Sequence, residues 1–183
     1  MGKKINVAWA ITGSGEFMPE VTSLLCRLPV GGIDLFLSRA GEEVVKMYEP
    51  TLLQRESIAH VFYDRGGAYP ISGRFSVGYY HLLVVAPATS NTVAKMVYGI
   101  ADTLVTTIFA QAGKARVPIV VLPSDVNEVM ISNAPNGRKI VLYRREVDFR
   151  NVALLSKMEG VSVVNTVGAL IEYISRFGLF LLK

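Results

Sequence analysis

The sequence is short of the residues on which many chemical motifs depend. A single cysteine, Cys26, among 183 residues excludes an internal disulfide framework and suits a reducing compartment. Cys26 lies among Val21, Leu24, Leu25 and Leu28, with nothing nearby to hold a thiolate, so it reads as a core residue of the first helix. No apolar run approaches the ~18 residues that span a bilayer, so no membrane segment is expected. Charge is sparse as well: 19% of residues are charged and the net charge is +4. The basic residues fall in small clusters, Lys3–Lys4, Arg138–Lys139 and Arg144–Arg145, with no basic stripe and no interleaved aromatics. That argues against nucleic acid and leaves a solvated surface or an anionic small ligand. The opening MGKKINVAWAITG passes straight from two lysines into a strand pattern and a glycine turn, so a secretory signal is not expected and the cytoplasm is.

What the chain does have is 51% hydrophobic residues, arranged as apolar runs alternating with helical patterns. Strands are expected at residues 4–11, 33–37, 59–63, 82–86, 117–122 and 161–164. Helices are expected at 16–28, 40–48, 92–100, 102–112, 148–158 and 167–177. GGAYPISGRFSVG (66–78) reads as a glycine-rich loop, and SDVNEVMISNAPNGRK (124–139) as a long irregular segment. The strands are continuous apolar runs with little alternation, the pattern of a parallel sheet covered on both faces. The expectation is an α/β, doubly wound, Rossmann-like sheet of order about 3-2-1-4-5 flanked by helices. Without a linker, repeat or low-complexity stretch, residues 1–183 read as one domain.

In such a sheet, ligands bind beyond the carboxyl ends of the strands where the strand order reverses. For this order the crevice lies between strands one and four, where ITGSGE (11–16) and APATSNT (86–92) leave the sheet. The first loop has Gly13 and Gly15, but Met18 stands where a dinucleotide fingerprint needs its third glycine, and no acidic residue follows the second strand at Ser38–Arg39. No G-K-[ST] follows, so it is not a Walker A loop either. What remains is a glycine turn opening onto a helix N-terminus, which suits an anion such as phosphate, with Ser14 and Ser38 as added hydroxyls. In the second loop Pro87 stops the strand, and Ala88, Thr89, Ser90, Asn91 and Thr92 follow. One helix needs one cap; four hydrogen-bonding side chains suit a flat heteroaromatic ring with polar edges, such as a flavin.

The stretch A-P-A-T-S-N-T-V-A-K-M-x-x-G-I-A-D-T-L resembles the P-x-S-A-N-T-x-x-K-x-x-x-G-x-x-D-x-L segment of the FMN-binding flavoprotein superfamily, which includes phosphopantothenoylcysteine decarboxylases, lantibiotic cysteine decarboxylases and flavin prenyltransferases. T-G-S-G resembles that superfamily's turn after strand one, and together the motifs anchor roughly residues 5–122. A-W-A-I-T-G-S-G, D-L-F-L-S-R-A-G-E-E-V and S-G-R-F-S-V-G-Y-Y are similar to the archaeoflavoprotein and dihydromethanopterin reductase branch. The resemblance implies FMN as cofactor and electron transfer from ferredoxin or a reduced nicotinamide to an acceptor such as a pterin. It implies that Gly13, Ser14 and Gly15 meet the FMN phosphate, Ser38 the phosphate or ribityl chain, and Pro87 to Thr92 the flavin. It also implies a homo-oligomer, trimer-based or dimeric. The apolar C-terminal FGLFLLK either seals such an interface or packs on its own domain.

The departures from that pattern bear on the reaction. Gly73 stands where the decarboxylases have a catalytic histidine, and His81 reads as structural. The decarboxylase substrate clamp P-x-M-N-x-x-M-W is replaced by P-S-D-V-N-E-V-M, off register and without tryptophan. Y-R-R-E-V-D-F-R-N-V faintly resembles a prenyltransferase segment, with Arg145 as a candidate for an anionic substrate group, so a flavin prenyltransferase is the alternative and a cysteine-type decarboxylase the more distant one. Arg74, in the glycine-rich loop, is a candidate for stabilising a reduced flavin or binding an acceptor carboxylate. Lys95, one turn into the helix after the site, reads as exposed.

Overall fold

A computed structural model describes residues 5–28, 32–124, 129–133 and 139–179. Its centre is a parallel sheet built from β1 (Val7–Ile11), β2 (Ile33–Leu37), β3 (Ile58–Tyr63), β4 (Leu82–Ala88), β5 (Ile119–Pro123) and a short edge strand. That strand takes the label β8 (Val161–Val163), because β6 (Val129–Asn133) and β7 (Lys139–Tyr143) precede it. The order is β3-β2-β1-β4-β5-β8, the expected order extended by one strand at the β5 edge. In register, Val7 to Ile11 lie beside Ile33 to Leu37, and Val7 to Ala10 beside Leu82 to Val85. Every residue of β1, β2, β4 and β5 is buried, which is why their sequences are continuous apolar runs and not alternating ones.

The pleat sorts those runs into two cores. Val7, Trp9 and Ile11 face α1 (Met18–Cys26), α2 (Arg39–Tyr48) and α7 (Val167–Ser175). Ala8 and Ala10 face the other side, under α4 (Ser90–Val97), α5 (Leu104–Lys114) and α6 (Glu146–Leu155). The indole of Trp9, buried in this packing, donates to the Ala86 carbonyl at 3.0 Å, so β1 and β4 are tied by a side chain as well as by the ladder. Leu179 is buried in the first core and Phe177 packs against it, so the described part of the C-terminal apolar stretch lies on its own fold; residues 180–183 fall outside the described residues.

Two segments depart from expectation. The stretch read as irregular holds β6, which pairs antiparallel with β7 just beyond it, Val129 opposite Tyr143 and Asn133 opposite Lys139. The two strands stand apart from the main sheet, and their short length among turn-forming residues hides them from a periodicity argument. The glycine-rich loop contains a 3₁₀ turn at Pro70–Ser72 and α3 (Gly73–Ser76), because Phe75 and Tyr80 supply buried rings that fold it onto the second core. Among the described residues no helix is long and apolar enough to cross a membrane.

Candidate functional site

The turns leaving β1 and β4 meet, and one residue joins them. Thr12 is buried, and its hydroxyl donates to the Pro87 carbonyl at 3.0 Å and accepts the Thr89 amide at 2.8 Å. The Thr12 amide donates to the same carbonyl at 3.1 Å. Pro87 follows a cis Ala86–Pro87 bond, and the Ala88 carbonyl accepts from the amide of Ser124 at 2.8 Å, fastening β5 to the same corner. Pro87 does not stop the strand as expected: it and Ala88 are the last two residues of β4 and form the backbone of the corner.

Beside this corner lies a cleft of about 480 Å³. Thr12, Gly13, Ser38, Arg39 and Ala40 form one wall, and Thr89, Asn91, Thr92 and Lys95 another. Asp64 and Gly66 come from the end of β3, and Asp102, Thr103 and Val105 from the start of α5. Three helices begin at its edge, each with a side-chain cap. Ser38 accepts from the Gly41 amide, Thr89 from the Thr92 amide, and Thr103 from the Thr106 amide in a reciprocal box. The exposed amides and dipoles of three helix starts give one cleft a positive potential, each worth about 0.3–1 kcal/mol toward an anion. The Ser38 hydroxyl spends its oxygen on the cap and keeps its hydrogen; the Asn91 side chain has no partner among the described residues.

The glycines allow close approach. A Cβ on Gly13 would fall 2.4 Å from the Cβ of Ala40, so only glycine lets the β1 turn rest on the start of α2. A Cβ on Gly15 would meet the Tyr48 hydroxyl at 2.8 Å. Ser14 accepts the Glu16 amide at 3.2 Å, and neither it nor Gly15 is part of the cleft wall. The α1 helix starts later than expected, at Met18, after Phe17 takes a left-handed conformation with φ of 61°. The glycine turn thus touches two helix starts, the Met18 amide of α1 donating to the Gly15 carbonyl at 3.3 Å and Gly13 resting on Ala40 of α2. Ser90 belongs to the first turn of α4 but does not line the cleft.

Several residues of this site were not legible as such, among them Thr12, Asp64, Lys95 and Asp102. Thr12 lies in the 11–16 loop but offers no sign of its own that it ties that loop to the other. Asp64 is buried and accepts from the Tyr69 hydroxyl, the Gly66 amide at 3.2 Å and the Leu104 amide at 3.3 Å, which offsets the cost of its desolvation. Burial and this contact hold the Tyr69 phenol above its ordinary pKa. Lys95, expected at the surface, pairs with Asp102 at 2.8 Å. The pair accounts for the spacing K-x-x-x-G-x-x-D, since the chain must double back at Gly99, φ 70°, to close it.

Arg74 and Arg145 are elsewhere. Arg74 pairs with buried Asp34 at 3.1 Å and lies over the Tyr79 ring. Arg145 pairs with Asp148 at 2.7 Å, which holds that carboxyl below its usual range. His81 is structural as read, its Nδ1 accepting the Asn6 amide at 3.2 Å. Among the described residues no His, Cys, Asp and Glu side chains gather into a metal site.

The chain matches the Flavoprotein family over residues 1–176. An uncharacterized protein of Methanocaldococcus jannaschii is 38% identical over 170 residues, covering 88% of this chain and 89% of its own. A dihydromethanopterin reductase (acceptor) of Methanosarcina mazei is 41% identical over 141 residues, which cover 71% of this chain but only 59% of the reductase. Among solved structures, Burkholderia xenovorans DmrB, a cubic protein cage for redox transfer solved in complex with FMN, aligns with a TM-score of 0.83. It is 37% identical to this chain and covers 98% of it, with all of DmrB matched. The motifs, the strand order and a family match over nearly the whole length agree: the chain belongs to the flavoprotein family.

Proposed function

We propose that this chain is an FMN-dependent oxidoreductase that passes electrons from ferredoxin or a reduced nicotinamide to a small acceptor of the pterin class. The observation that carries the reading is the corner tied by Thr12, where the two loops open on one polar cleft ringed by three helix starts. Its volume, about 480 Å³, lies within the roughly 300–1,000 Å³ of small-ligand sites. The donor set fits a mononucleotide: amides, hydroxyls and a cation toward a phosphate, and the neutral polar groups of Thr89 to Thr92 toward the edges of a ring. The relatives named for FMN, redox transfer and dihydromethanopterin reduction support the same assignment.

In this reading Gly13, Ser38 and the start of α2 hold the phosphate, with Ser14 and Gly15 shaping the turn. Asn91 and Thr92 orient the ring, and Pro87 and Ala88 set the corner on which they stand. When bound, FMN supplies reversible electron and hydride transfer. The chain's part is to position the ring and leave one side open to an acceptor. Arg74 is engaged by Asp34 within the chain, so any contact with the acceptor adds to that pairing. The prenyltransferase and decarboxylase alternatives share the cleft's motifs, but the positions particular to them, Arg145 and Gly73, do not line it. Assembly into a homo-oligomer belongs to the same proposal and is supported by the cage that DmrB forms.

Purified protein should carry, or take up from added FMN, the visible absorbance of a bound flavin. That band should bleach with reduced ferredoxin or NADPH and return on addition of an oxidised pterin. Protein that binds no FMN at micromolar concentration would overturn the proposal.

A further inference from the structure

The positive charge of the chain is not spread evenly. β7, α6 and the two arginines between them lie within residues 139–157, a stretch with five cations against two carboxylates. That is a net +3, where the whole chain carries +4. One of the two carboxylates, Asp148, is buried and paired with Arg145 at 2.7 Å, so Glu146 is the only one this stretch shows to solvent. Lys139, Arg150 and Lys157 are exposed and have no ion pair among the described residues.

The same stretch is rich in uncovered apolar surface. Five of the eleven large hydrophobic side chains exposed among the described residues lie here: Val141, Tyr143, Val147, Phe149 and Leu154. Lys139, Val141 and Tyr143 alternate along β7, so they share one face, and all three are exposed. The Arg144 guanidinium lies over the Phe149 ring at 3.5 Å, joining the end of the ribbon to the helix. Exposed aromatic and aliphatic side chains set among arginines are the composition of a protein docking surface. The patch also lies at the end of the molecule where the cleft opens. α6 packs against α4, whose start borders the cleft. Arg144 and Phe149 line a second cavity with Phe17, Asn165 and Thr166, which follow the carboxyl ends of β1 and β8.

We propose that this patch docks an acidic electron-carrier protein, so that the donor is a ferredoxin and not a free nicotinamide. The inference rests on the flavin reading above. Charge decides between occupants. A second copy brought face to face would set +3 against +3. An acidic carrier meets the patch with opposite charge, which steers the encounter, and the apolar side chains then close the contact. Each docked carrier gives up one electron; two dockings supply the pair of electrons, and water the two protons, that one acceptor molecule takes up.

The test uses the full chain and a two-cluster bacterial ferredoxin. Calorimetry measures its binding to wild type, Arg150→Glu, Lys157→Glu and, as a control, Arg55→Glu, a charge reversal at an exposed residue near the amino end of β3. Circular dichroism and sedimentation confirm fold and assembly. Raising salt from about 50 to about 500 mM should weaken binding to wild type about tenfold. Each patch variant should lose about 5- to 10-fold at low salt, and Arg55→Glu should stay within about twofold. In FMN-loaded protein, reduction by ferredoxin should slow in parallel, while reduction by dithionite should not change. Equal losses in patch and control variants, or binding indifferent to salt, would overturn the proposal. So would patch variants of altered oligomeric mass, which would give the surface to a second copy, and loaded protein reduced by NADPH but not by ferredoxin. Protein that takes up no FMN would defeat the flavin reading, while the calorimetric titration, which needs no flavin, would still decide whether the patch docks the carrier.

Discussion

The sheet carries two polar clusters, and they differ in how their hydrogen bonds are spent. Near the amino ends of the strands, buried Asp34 meets His60 Nδ1 at 2.7 Å, Arg74 at 3.1 Å and the Tyr80 hydroxyl at 2.6 Å. Arg74 lies over Tyr79, and Tyr80 packs against Phe36 and Phe75. Burial, then the Asp34 contact, pushes the Tyr80 phenol well above its ordinary pKa. Each polar group in this cluster has a partner from the chain. At the carboxyl ends, Thr12, Thr89 and Thr103 are spent on holding the corner and the caps, while Ser38, Arg39 and Asn91 keep capacity in hand. The first cluster fastens β2, β3 and the α3 segment together. The second is a scaffold whose remaining hydrogen-bonding groups, unmatched among the described residues, line a cleft. Both hold charged and hydroxyl-bearing residues, so polarity does not separate them; unspent capacity does.

Asp34→Ala should cost the most stability and leave the site alone. It strands buried Tyr80 and frees Arg74 and His60, at about 2–4 kcal/mol, below the full cost of breaking a buried pair because both side chains reach water. Urea denaturation should show the loss, and FMN affinity per folded molecule should stay at the wild-type value. A large loss of affinity would mean that the two clusters are coupled.

Thr12→Val should act on both properties at once. The shape is kept, but the Thr89 amide loses its acceptor, at about 1–3 kcal/mol. FMN affinity should fall with stability, because the same bond holds the two loops in register. Normal affinity in a destabilised variant would remove the tied corner from the site.

The smallest effect belongs to Asp102→Asn. The hydrogen bond from Lys95 holds the Asp102 carboxyl below its usual pKa. A lowered folded-state value means that the pair adds stability above the ordinary aspartate range and loses it as pH falls through the lowered one. The difference in Tm between wild type and Asp102→Asn should therefore be present at neutral pH, shrink with added salt, and vanish in acid. A difference that grew in acid would contradict this pairing.

Much of the fold could be read directly. Runs such as LLVVA and PIVVL mark strands buried on both faces, and their alternation with helices prescribes the winding and the switch point. The loops at 11–16 and 86–92 stood out because tight turns and caps have strong local chemistry. The β6–β7 pair did not, since a two-stranded ribbon outside the main sheet carries little periodic signal. Thr12 was hidden inside the 11–16 loop, because its partners Pro87 and Thr89 lie about 75 residues away. Arg39 was hidden for a different reason: an arginine following a serine looks like any solvated charge until the residues around it are known.

The distinction follows the range of the forces. Burial pattern, turn chemistry and helix caps act between residues close in the chain, so they are inscribed in the order of the amino acids, and with them the layers, the strand order and the two loops. Which arginine is neutralised depends on groups far apart in sequence. Asp34 reaches Arg74 across 40 residues and the Arg65 side chain finds Glu42 across 23, while Arg39 finds none among the described residues. Those pairings exist only once the sheet has assembled, because electrostatic matching depends on distance in space, and that distance is set by packing.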